Sequence, residues 1–209
     1  MSDPSGEPQP AQRGPLSIIR NGAWIAVVLA AVLALGYSFY VRKTAPPDIG
    51  GAFSLTDQTG KRVSSDDLKG KVLAIYFGFT HCPDECPTTL QKIQVALGKL
   101  PEKTREQVVP IFITLDPERD TREVIGDYIS GFIPDGLGLT GTPEEIAEVA
   151  REYRMAYRKV PTPGSALPYT IDHASLVYVM GRDGKFLHYY PSETTADQLA
   201  DGLKVAVAR

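Results

Sequence analysis

The chain has 209 residues, of which 43% are hydrophobic, and a formal charge of −3 at pH 7. This length allows one globular domain and an additional segment. Acidic and basic residues nearly balance, so the composition excludes the strongly basic surface that nucleic-acid binding requires, and no nucleic acid is expected as a partner. The chain has two cysteines and three histidines, which are the candidates for thiol chemistry or for a metal site of sulfur and nitrogen.

A long apolar segment near the N-terminus predicts a transmembrane helix. Residues 21–41 contain no charged side chain and lie between Arg20 and Arg42. As a helix this segment would span roughly 30 Å, the thickness of a bilayer core. Trp24 and Tyr40 at its two ends are typical of residues at membrane interfaces. The alternative is a cleaved signal peptide, but the run exceeds the usual length of about 7–15 residues and no Ala-x-Ala cleavage site follows it.

The segments that flank this predicted anchor are short. Residues 1–20 are proline-rich and partly acidic, which is typical of a disordered bacterial cytoplasmic tail. Residues 42–49 include two consecutive prolines and are predicted as a linker. Two basic residues lie on each side of the anchor, so charge alone does not orient it. The globular domain is then predicted over residues 50–209.

The first half of this domain is predicted to alternate strands and helices. Residues 72–77 are continuously apolar, as in a central strand that is covered on both faces. A second apolar run follows at residues 111–115, and Pro110 is predicted to mark its start because proline cannot donate to a ladder. A hairpin is predicted before these strands, over residues 53–64. Between the two strands a helix is predicted with Leu90, Ile93, Leu97 and Leu100 on one face. A further helix, capped by Asp120 or Thr121, is predicted after the second strand.

The second half is predicted to end the sheet with a hairpin. Thr142 and Glu145 form the pattern of a capping box, with Pro143 at the first helical position. Residues 159–171 contain three prolines and a glycine and are predicted as an irregular, mobile loop that opens onto the site. The remaining elements are strands over residues 174–180 and 185–190, joined by an Asp-Gly turn, and a helix over residues 195–207. This order predicts an α/β protein of the thioredoxin-like fold, in which helices flank a central mixed sheet.

The two cysteines lie at the turn between the first buried strand and the helix that follows it. At spacing i, i+4, Cys82 and Cys86 fall on one side of a helical turn, with Cα atoms about 6 Å apart, within reach of a disulfide or a shared metal ion. The usual redox pair has two intervening residues instead of three, which weakens a plain oxidoreductase reading. Asp84 and Glu85 beside the thiols would favour a bound cation, although a solvated turn is the favoured interpretation of these two residues. The sequence at this point leaves a redox pair and a metal site both open.

One of the three histidines is placed to join the cysteines. His81 is predicted at the strand end and facing away, and His188 lies inside the last strand. His173 follows the proline-rich segment and is predicted to open a strand beside the cysteine turn. Two sulfurs and one imidazole suit Cu(I) in trigonal geometry and also bind Cu(II). A structural zinc site would require a fourth ligand. Asp172 is a candidate partner for the imidazole, or a residue of the turn into the strand.

Four sequence blocks resemble the Sco/SenC family of copper proteins. They are IYFGFTHCPDECP at residues 75–87, DPERDT at 116–121, LTGT at 139–142 and the Asp-His pair at 172–173. The resemblance covers roughly residues 50–209. It implies that Cys82, Cys86 and His173 bind copper, as Cu(I) or Cu(II).

The resemblance also implies a role and a location. It implies a metallochaperone, held in the bacterial inner membrane by a single N-terminal helix with its domain in the periplasm, that assists assembly of the CuA centre of cytochrome c oxidase. Its partners would be the oxidase subunit that carries CuA and other periplasmic copper chaperones or thiol reductants. The alternative within the family is a membrane-anchored thiol-disulfide oxidoreductase that keeps the CuA-site cysteines reduced without delivering copper.

Two interpretations need no metal. An anchored thiol-disulfide enzyme or thiol peroxidase would use Cys82 and Cys86 as its redox-active pair, and the loss of His173 would then matter little. A structural disulfide is the other interpretation, although a strand-to-helix turn between Pro83 and Pro87 is an unusual place for one.

Overall fold

The computed structural model describes residues 15–44 and 49–209, which belong to two separate compact units, Met1–Pro47 and Asp48–Arg209. In the first unit, helix α1 runs from Pro15 to Thr44 and includes the predicted anchor over residues 21–41. Most of the predicted tail and half of the predicted linker lie outside the described residues. Among the helices of the described part, none is both long and apolar enough to cross a membrane. The anchor therefore stays a prediction.

The second unit contains a seven-stranded mixed sheet in the order β2-β1-β5-β4-β3-β8-β9. Strands β3, β4 and β5 are parallel neighbours, and the strands on both sides of them pair antiparallel. This confirms the predicted mixed sheet. The strands are β1 Ser54–Asp57, β2 Arg62–Ser64, β3 Val72–Gly78, β4 Val108–Thr114, β5 Leu137–Thr140, β8 Leu176–Met180 and β9 Phe186–Pro191.

Helices flank the sheet, and three of those described begin where a threonine side chain accepts a hydrogen bond from one of the first amides. Thr142 accepts from the amide of Glu145 and completes the predicted capping box, while Thr121 rather than Asp120 caps the preceding helix. Thr195 and Gln198 form a further capping box at the last helix. The helices are α2 Glu85–Gly98, α3 Glu102–Arg105, α4 Arg122–Phe132, α5 Pro143–Glu152 and α6 Ala196–Val207, with a 3-10 turn at Ser65–Leu68.

Strand β3 is the centre of the hydrophobic core, and all seven of its residues are buried. Phe77 lies against the rings of Tyr153 and Tyr178, with centroids 5.4 and 5.9 Å away. Burying an aromatic or aliphatic side chain of this size contributes about 1.5–3 kcal/mol each. The turn that follows β3 therefore starts from a rigid point of the fold.

Pro110 lies inside strand β4 and does not mark its start, which corrects the sequence prediction. The strand begins at Val108, two residues earlier. Its neighbour β5 first pairs at Leu137, opposite Ile111, so Pro110 precedes this pairing. A proline is tolerated there because its missing amide has no ladder partner on that side.

Residues 159–171, predicted as an irregular loop, form most of a second, two-stranded sheet. Strand β6, Tyr157–Pro161, pairs antiparallel with strand β7, Tyr169–His173, and only residues 162–168 remain irregular. Prolines at the strand ends do not disrupt this hairpin, because a two-stranded sheet has no interior strand. His173 consequently closes β7 rather than opening the next strand, which also differs from the prediction.

Candidate metal centre

The cysteines lie at the carboxyl end of β3, beside the end of the parallel strand β4. This edge of an open α/β sheet is where ligands usually bind. Gly78, the last residue of β3, leaves room for the cysteine turn, since a Cβ atom there would lie 2.8 Å from the sulfur of Cys86 and 2.9 Å from the ring of Phe112. The close approach of the buried sulfur to the sheet therefore depends on a glycine.

A substitution at this glycine tests that packing. We expect Gly78→Ala to lower the free energy of unfolding by about 1–3 kcal/mol, because the added methyl overpacks a buried site. Gly98→Ala is the matched control, since nothing lies within 4 Å of its added methyl and alanine favours helix. Chemical denaturation of both variants measures the difference, and equal stabilities would contradict this explanation of Gly78.

The two thiols are free and differ in environment. Cys86 is fully buried in the first turn of α2, whereas Cys82 is half-buried in the preceding turn. A hydrogen bond from the Cys86 thiol, with those from nearby backbone amides, lowers the pKa of Cys82 to about 5. The same hydrogen bond and burial raise the pKa of Cys86. Cys82 is thus the half-buried thiolate, and Cys86 is a fully buried thiol that donates to it.

Aromatic side chains surround the buried sulfur. The hydroxyl of Tyr76 lies 3.5 Å from the Cys86 sulfur and 3.2 Å from the hydroxyl of Ser175. Burial raises the pKa of Tyr76 far above its usual value, so the phenol stays protonated and available as a donor. The sulfur therefore lies in a largely apolar pocket, where the Tyr76 hydroxyl and the Phe79 amide are hydrogen-bond donors.

His173 is the one histidine that reaches the cysteines, as the sequence predicted. Its Nε2 atom lies 4.0 Å from the sulfur of Cys86. Its Nδ1 atom lies 3.0 Å from the carbonyl oxygen of Ala174, and a proton on Nδ1 that donates to this oxygen leaves the Nε2 lone pair directed at the sulfur. Edge-on contacts with the rings of Phe79 and Tyr76, with centroids 6.0 and 6.4 Å away, hold the imidazole in this orientation.

The prediction that Asp172 is the hydrogen-bond partner of the His173 imidazole is wrong. Asp172 does not contact His173 and instead accepts two hydrogen bonds from Arg158, at 2.8 and 3.0 Å. Successive residues of a strand point to opposite faces, so Asp172 and His173 cannot serve one site. The carbonyl of Ala174 takes the role that the sequence assigned to Asp172.

The remaining candidates lie apart from the sulfurs. His81 points toward Asp120, with its Nδ1 atom 3.7 Å from a carboxylate oxygen. His188 is exposed on β9, where its ring stacks on Tyr189. Asp84 and Glu85 are both exposed, as expected of a solvated turn. None of these four side chains adds a ligand to Cys86 and His173.

The atoms that the structure brings together fit a metal ion held by sulfur and nitrogen. Bonds of about 2.3 Å to a thiolate and 2.0–2.1 Å to an imidazole, as zinc makes, sum to slightly more than the 4.0 Å between Cys86 Sγ and His173 Nε2. Within the described residues, no group of three or more His, Cys, Asp and Glu side chains is already arranged to hold a metal. Cys82 is the candidate for a third ligand, since its sulfur accepts a hydrogen bond from the amide of Cys86 at 3.4 Å.

Sequence reasoning missed a polar network beneath the site. Asp116 and Asp120 are both fully buried behind the cysteine turn. The sequence signal was the block at residues 116–121, directly after a buried strand. Asp120 was interpreted there only as a candidate helix cap, and Asp116 was given no role.

The sequence matches the SCO1/SenC family over residues 41–208. It is 45% identical over 155 residues to the Arabidopsis thaliana protein named SCO1 homolog 1, mitochondrial, a match that covers 74% of this chain and 46% of that relative. The chain thus aligns with about half the length of that mitochondrial relative.

Two solved structures have the same fold. Bradyrhizobium japonicum ScoI with copper bound is 46% identical, with a TM-score of 0.69, and the match covers 76% of this chain and 99% of that one. BsSco, described as having a disulfide switch and as a member of the Sco family of cytochrome c oxidase assembly proteins, is 28% identical, with a TM-score of 0.59 and coverage of 78% and 96%. The shared fold is the thioredoxin-like arrangement that the sequence predicted. The family match, the identity and the common architecture together place this chain in the SCO1/SenC family.

Proposed function

We propose that this chain binds one copper ion through Cys82, Cys86 and His173 and serves as a metallochaperone for the CuA centre of cytochrome c oxidase. The observation that carries the proposal is the 4.0 Å approach of His173 Nε2 to the buried sulfur of Cys86, with the Cys82 thiol beside it. Support comes from a relative of the same fold, 46% identical, that holds copper. Two soft sulfurs and one imidazole suit Cu(I) and also accept Cu(II).

The proposed setting follows from the N-terminal segment. A helix over residues 21–41 would hold the domain in the bacterial inner membrane, with residues 50–209 in the periplasm and the tail in the cytoplasm. There the domain would meet the oxidase subunit that carries CuA, and would receive copper or electrons from other periplasmic chaperones or thiol reductants. Fractionation with protease protection of intact spheroplasts tests this topology, since only an exported domain is digested from outside.

The difference between the two thiols favours a second activity at the same site. The Cys82 thiolate can attack a substrate disulfide, forming a mixed disulfide and releasing one substrate thiolate. Cys86 then loses its proton and attacks the Cys82 sulfur, forming the Cys82–Cys86 disulfide and releasing the second substrate thiolate. Substrate cysteines gain two electrons and the pair loses two, so an external thiol reductant must regenerate it.

Alkylation tests the assignment of Cys82 as the nucleophile. Because its pKa is lowered to about 5, we expect the iodoacetamide reaction rate of Cys82 to change little between pH 8 and pH 6 and to fall as the pH drops through 5. An unperturbed thiol with a pKa of about 8.5 would slow by almost 100-fold between pH 8 and 6. The measurement is rate against pH, followed by mass spectrometry of the alkylated peptide.

Removing the thiol that donates to Cys82 provides the control. Cys86→Ala deletes the largest cause of the shift, so the rate profile should move to higher pH. An unchanged profile in this variant, or preferential alkylation of Cys86 in the wild type, would contradict the assignment.

Copper titration tests the main proposal. The purified full-length chain, reduced in detergent, should bind one equivalent of Cu(II) with a sulfur-to-copper charge-transfer band and one equivalent of Cu(I). Absence of tight copper binding, together with rapid reduction of a disulfide substrate, would replace the chaperone with the oxidoreductase.

A further inference from the structure

The histidine of the site lies on a different sheet from the cysteines. Cys82 and Cys86 follow β3 of the seven-stranded sheet, whereas His173 ends β7 of the separate two-stranded sheet. No ladder hydrogen bonds join β7 to the large sheet, and only Ala174 and Ser175 link His173 to β8. Side-chain contacts therefore contribute to the spacing between sulfur and imidazole. We call residues 79–86 the cysteine arm and the β6–β7 hairpin the histidine arm.

One short segment, residues 116–121 between β4 and α4, contacts both arms. It is a closed turn, because the amide of Asp120 donates to the carbonyl of Asp116 at 2.9 Å. The amide of Leu115, directly before it, donates to the carbonyl of Gly78 at 2.7 Å. The side chains of Asp116 and Asp120 are both fully buried. A buried carboxylate is tolerated only when its hydrogen bonds are satisfied. We call residues 116–121 the brace.

The first carboxylate of this brace holds the histidine arm. The hydroxyl of Tyr169 donates to Asp116 at 2.8 Å, and Arg119 forms an ion pair with the other oxygen of this carboxylate. The Arg119 guanidinium also donates to the Tyr169 carbonyl at 3.1 Å and stacks 3.8 Å from the centre of its ring. Tyr169 lies on the same strand as His173, four residues before it. An exposed ion pair between Lys159 and Glu118, 2.7 Å apart, adds a second contact to the hairpin.

The second carboxylate holds the cysteine arm. Asp120 accepts from the amide of Thr80 at 3.0 Å and from its hydroxyl at 2.6 Å. The hydroxyl of Thr114 donates to the same carboxylate at 2.6 Å and ties it to the end of β4. Thr80 lies two residues before Cys82. Neither Asp116 nor Asp120 contacts a sulfur or the imidazole of His173, so both act only through the residues that they hold.

We propose that the brace is a positioning element that fixes the separation of the cysteine arm and the histidine arm, and thereby sets how well one copper ion is shared between them. The statement about copper rests on the proposed function, whereas the statement about the two arms does not. Loss of outer partners that orient metal ligands typically costs about 10–100-fold in affinity.

Two conservative substitutions separate the two contacts without creating buried unpaired charges. Tyr169→Phe removes only the hydroxyl that holds the histidine arm, and Thr80→Val removes only the hydroxyl that holds the cysteine arm. Substituting Asp116 or Arg119 would leave the other residue as a buried charge without its ion-pair partner and could unfold the protein, so neither substitution is used.

The chain offers a matched control for each substitution. Tyr157→Phe removes a hydroxyl from the same hairpin, opposite His173 in register, without touching the brace. Thr59→Val removes an equivalent contact at the far end of the sheet, where the Thr59 hydroxyl donates to Asp57 at 2.6 Å and its amide donates at 2.8 Å. Thr59→Val reports the general effect of losing a hydroxyl that donates to a carboxylate, and Tyr157→Phe reports the effect of losing a tyrosine hydroxyl from this hairpin.

The histidine-arm experiment uses the full-length chain in detergent with and without copper. In the metal-free protein we expect Tyr169→Phe to weaken the nuclear Overhauser contacts between the rings of His173 and Phe79, which lie 6.0 Å apart. With copper, we expect about tenfold weaker Cu(II) affinity and reduced nitrogen hyperfine coupling, with the Cys82–Cys86 thiol-disulfide equilibrium against glutathione unchanged within about twofold.

The cysteine-arm experiment predicts a different pattern. Thr80→Val should shift the thiol-disulfide equilibrium by about threefold or more and also weaken Cu(II) binding, while the contacts of His173 with Phe79 persist. Tyr157→Phe and Thr59→Val should leave all three measurements within about twofold of wild type.

Two results would contradict the proposed positioning role of the brace. One is wild-type ring contacts and copper affinity in Tyr169→Phe. The other is a change in Cu(II) affinity and thiol-disulfide equilibrium that occurs in all four variants and correlates only with their melting temperatures. Failure of the wild-type chain to bind copper would instead reject the proposed function, and the metal-free ring contacts and the thiol-disulfide equilibrium would still decide the brace.

Discussion

His173→Ala is expected to weaken Cu(II) binding by at least about 100-fold, or about 2.7 kcal/mol. The substitution removes the only imidazole near the sulfurs and leaves the metal with two thiolates. Cu(II) prefers a site that includes nitrogen, whereas Cu(I) tolerates two sulfurs, so the loss for Cu(I) should be smaller. Equilibrium dialysis against a competing chelator measures the affinity, and the sulfur-to-copper charge-transfer band should weaken in parallel.

His188→Ala is the matched control for this prediction. His188 is exposed on β9 and contacts only neighbouring tyrosine rings, so its loss should leave the affinity and the spectrum unchanged. If His173→Ala bound Cu(II) within about threefold of wild type, His173 would not be a ligand. The chain would then fit better as a thiol enzyme without a metal.

Oxidation of the cysteine pair is expected to expel copper. The disulfide consumes both thiolates, leaving one imidazole, so affinity should fall by more than about 1000-fold, or about 4.1 kcal/mol. The measurement is copper retained by the full-length chain after treatment with oxidised glutathione, with the disulfide confirmed by mass spectrometry.

A variant that cannot form the disulfide controls for damage by the oxidant. Cys86→Ala keeps the Cys82 thiol but has no second cysteine that could pair with it. Any copper that this variant binds should therefore be lost only where glutathione forms an adduct at Cys82. Full copper affinity in the oxidised wild-type chain would contradict competition between metal and disulfide.

The fold was largely predictable because local signals agreed with the packing. The continuous apolar run of β3 and the capping box at Thr142 each specify one structure, and the structure confirms both. The β6–β7 hairpin was missed because prolines usually indicate loops. Here Pro161 and Pro168 lie at the ends of an isolated pair of strands. Pairing with a distant strand, not local propensity, decides such cases.

The three residues of the proposed site were predicted from the sequence, but the residues that support them were not. Two cysteines and one histidine were distinctive enough to be identified by residue type and position. The role given to Asp172 failed because its neighbour His173 points to the opposite face of β7, and adjacency in sequence does not show this. The contacts of Asp116 and Asp120 join residues that are 53 and 40 positions away, respectively, and without knowledge of the topology no spacing rule links them.

The coordination shell of bound copper is the most direct test of the central claim. X-ray absorption of the reduced full-length chain, loaded with one equivalent of Cu(I), counts the sulfur and nitrogen neighbours of the metal. The proposed site predicts two sulfur ligands and one imidazole nitrogen, with the nitrogen lost in His173→Ala and retained in His188→Ala. A shell of oxygen and nitrogen without sulfur, or the same shell in wild type and His173→Ala, would contradict the Cys82, Cys86 and His173 site.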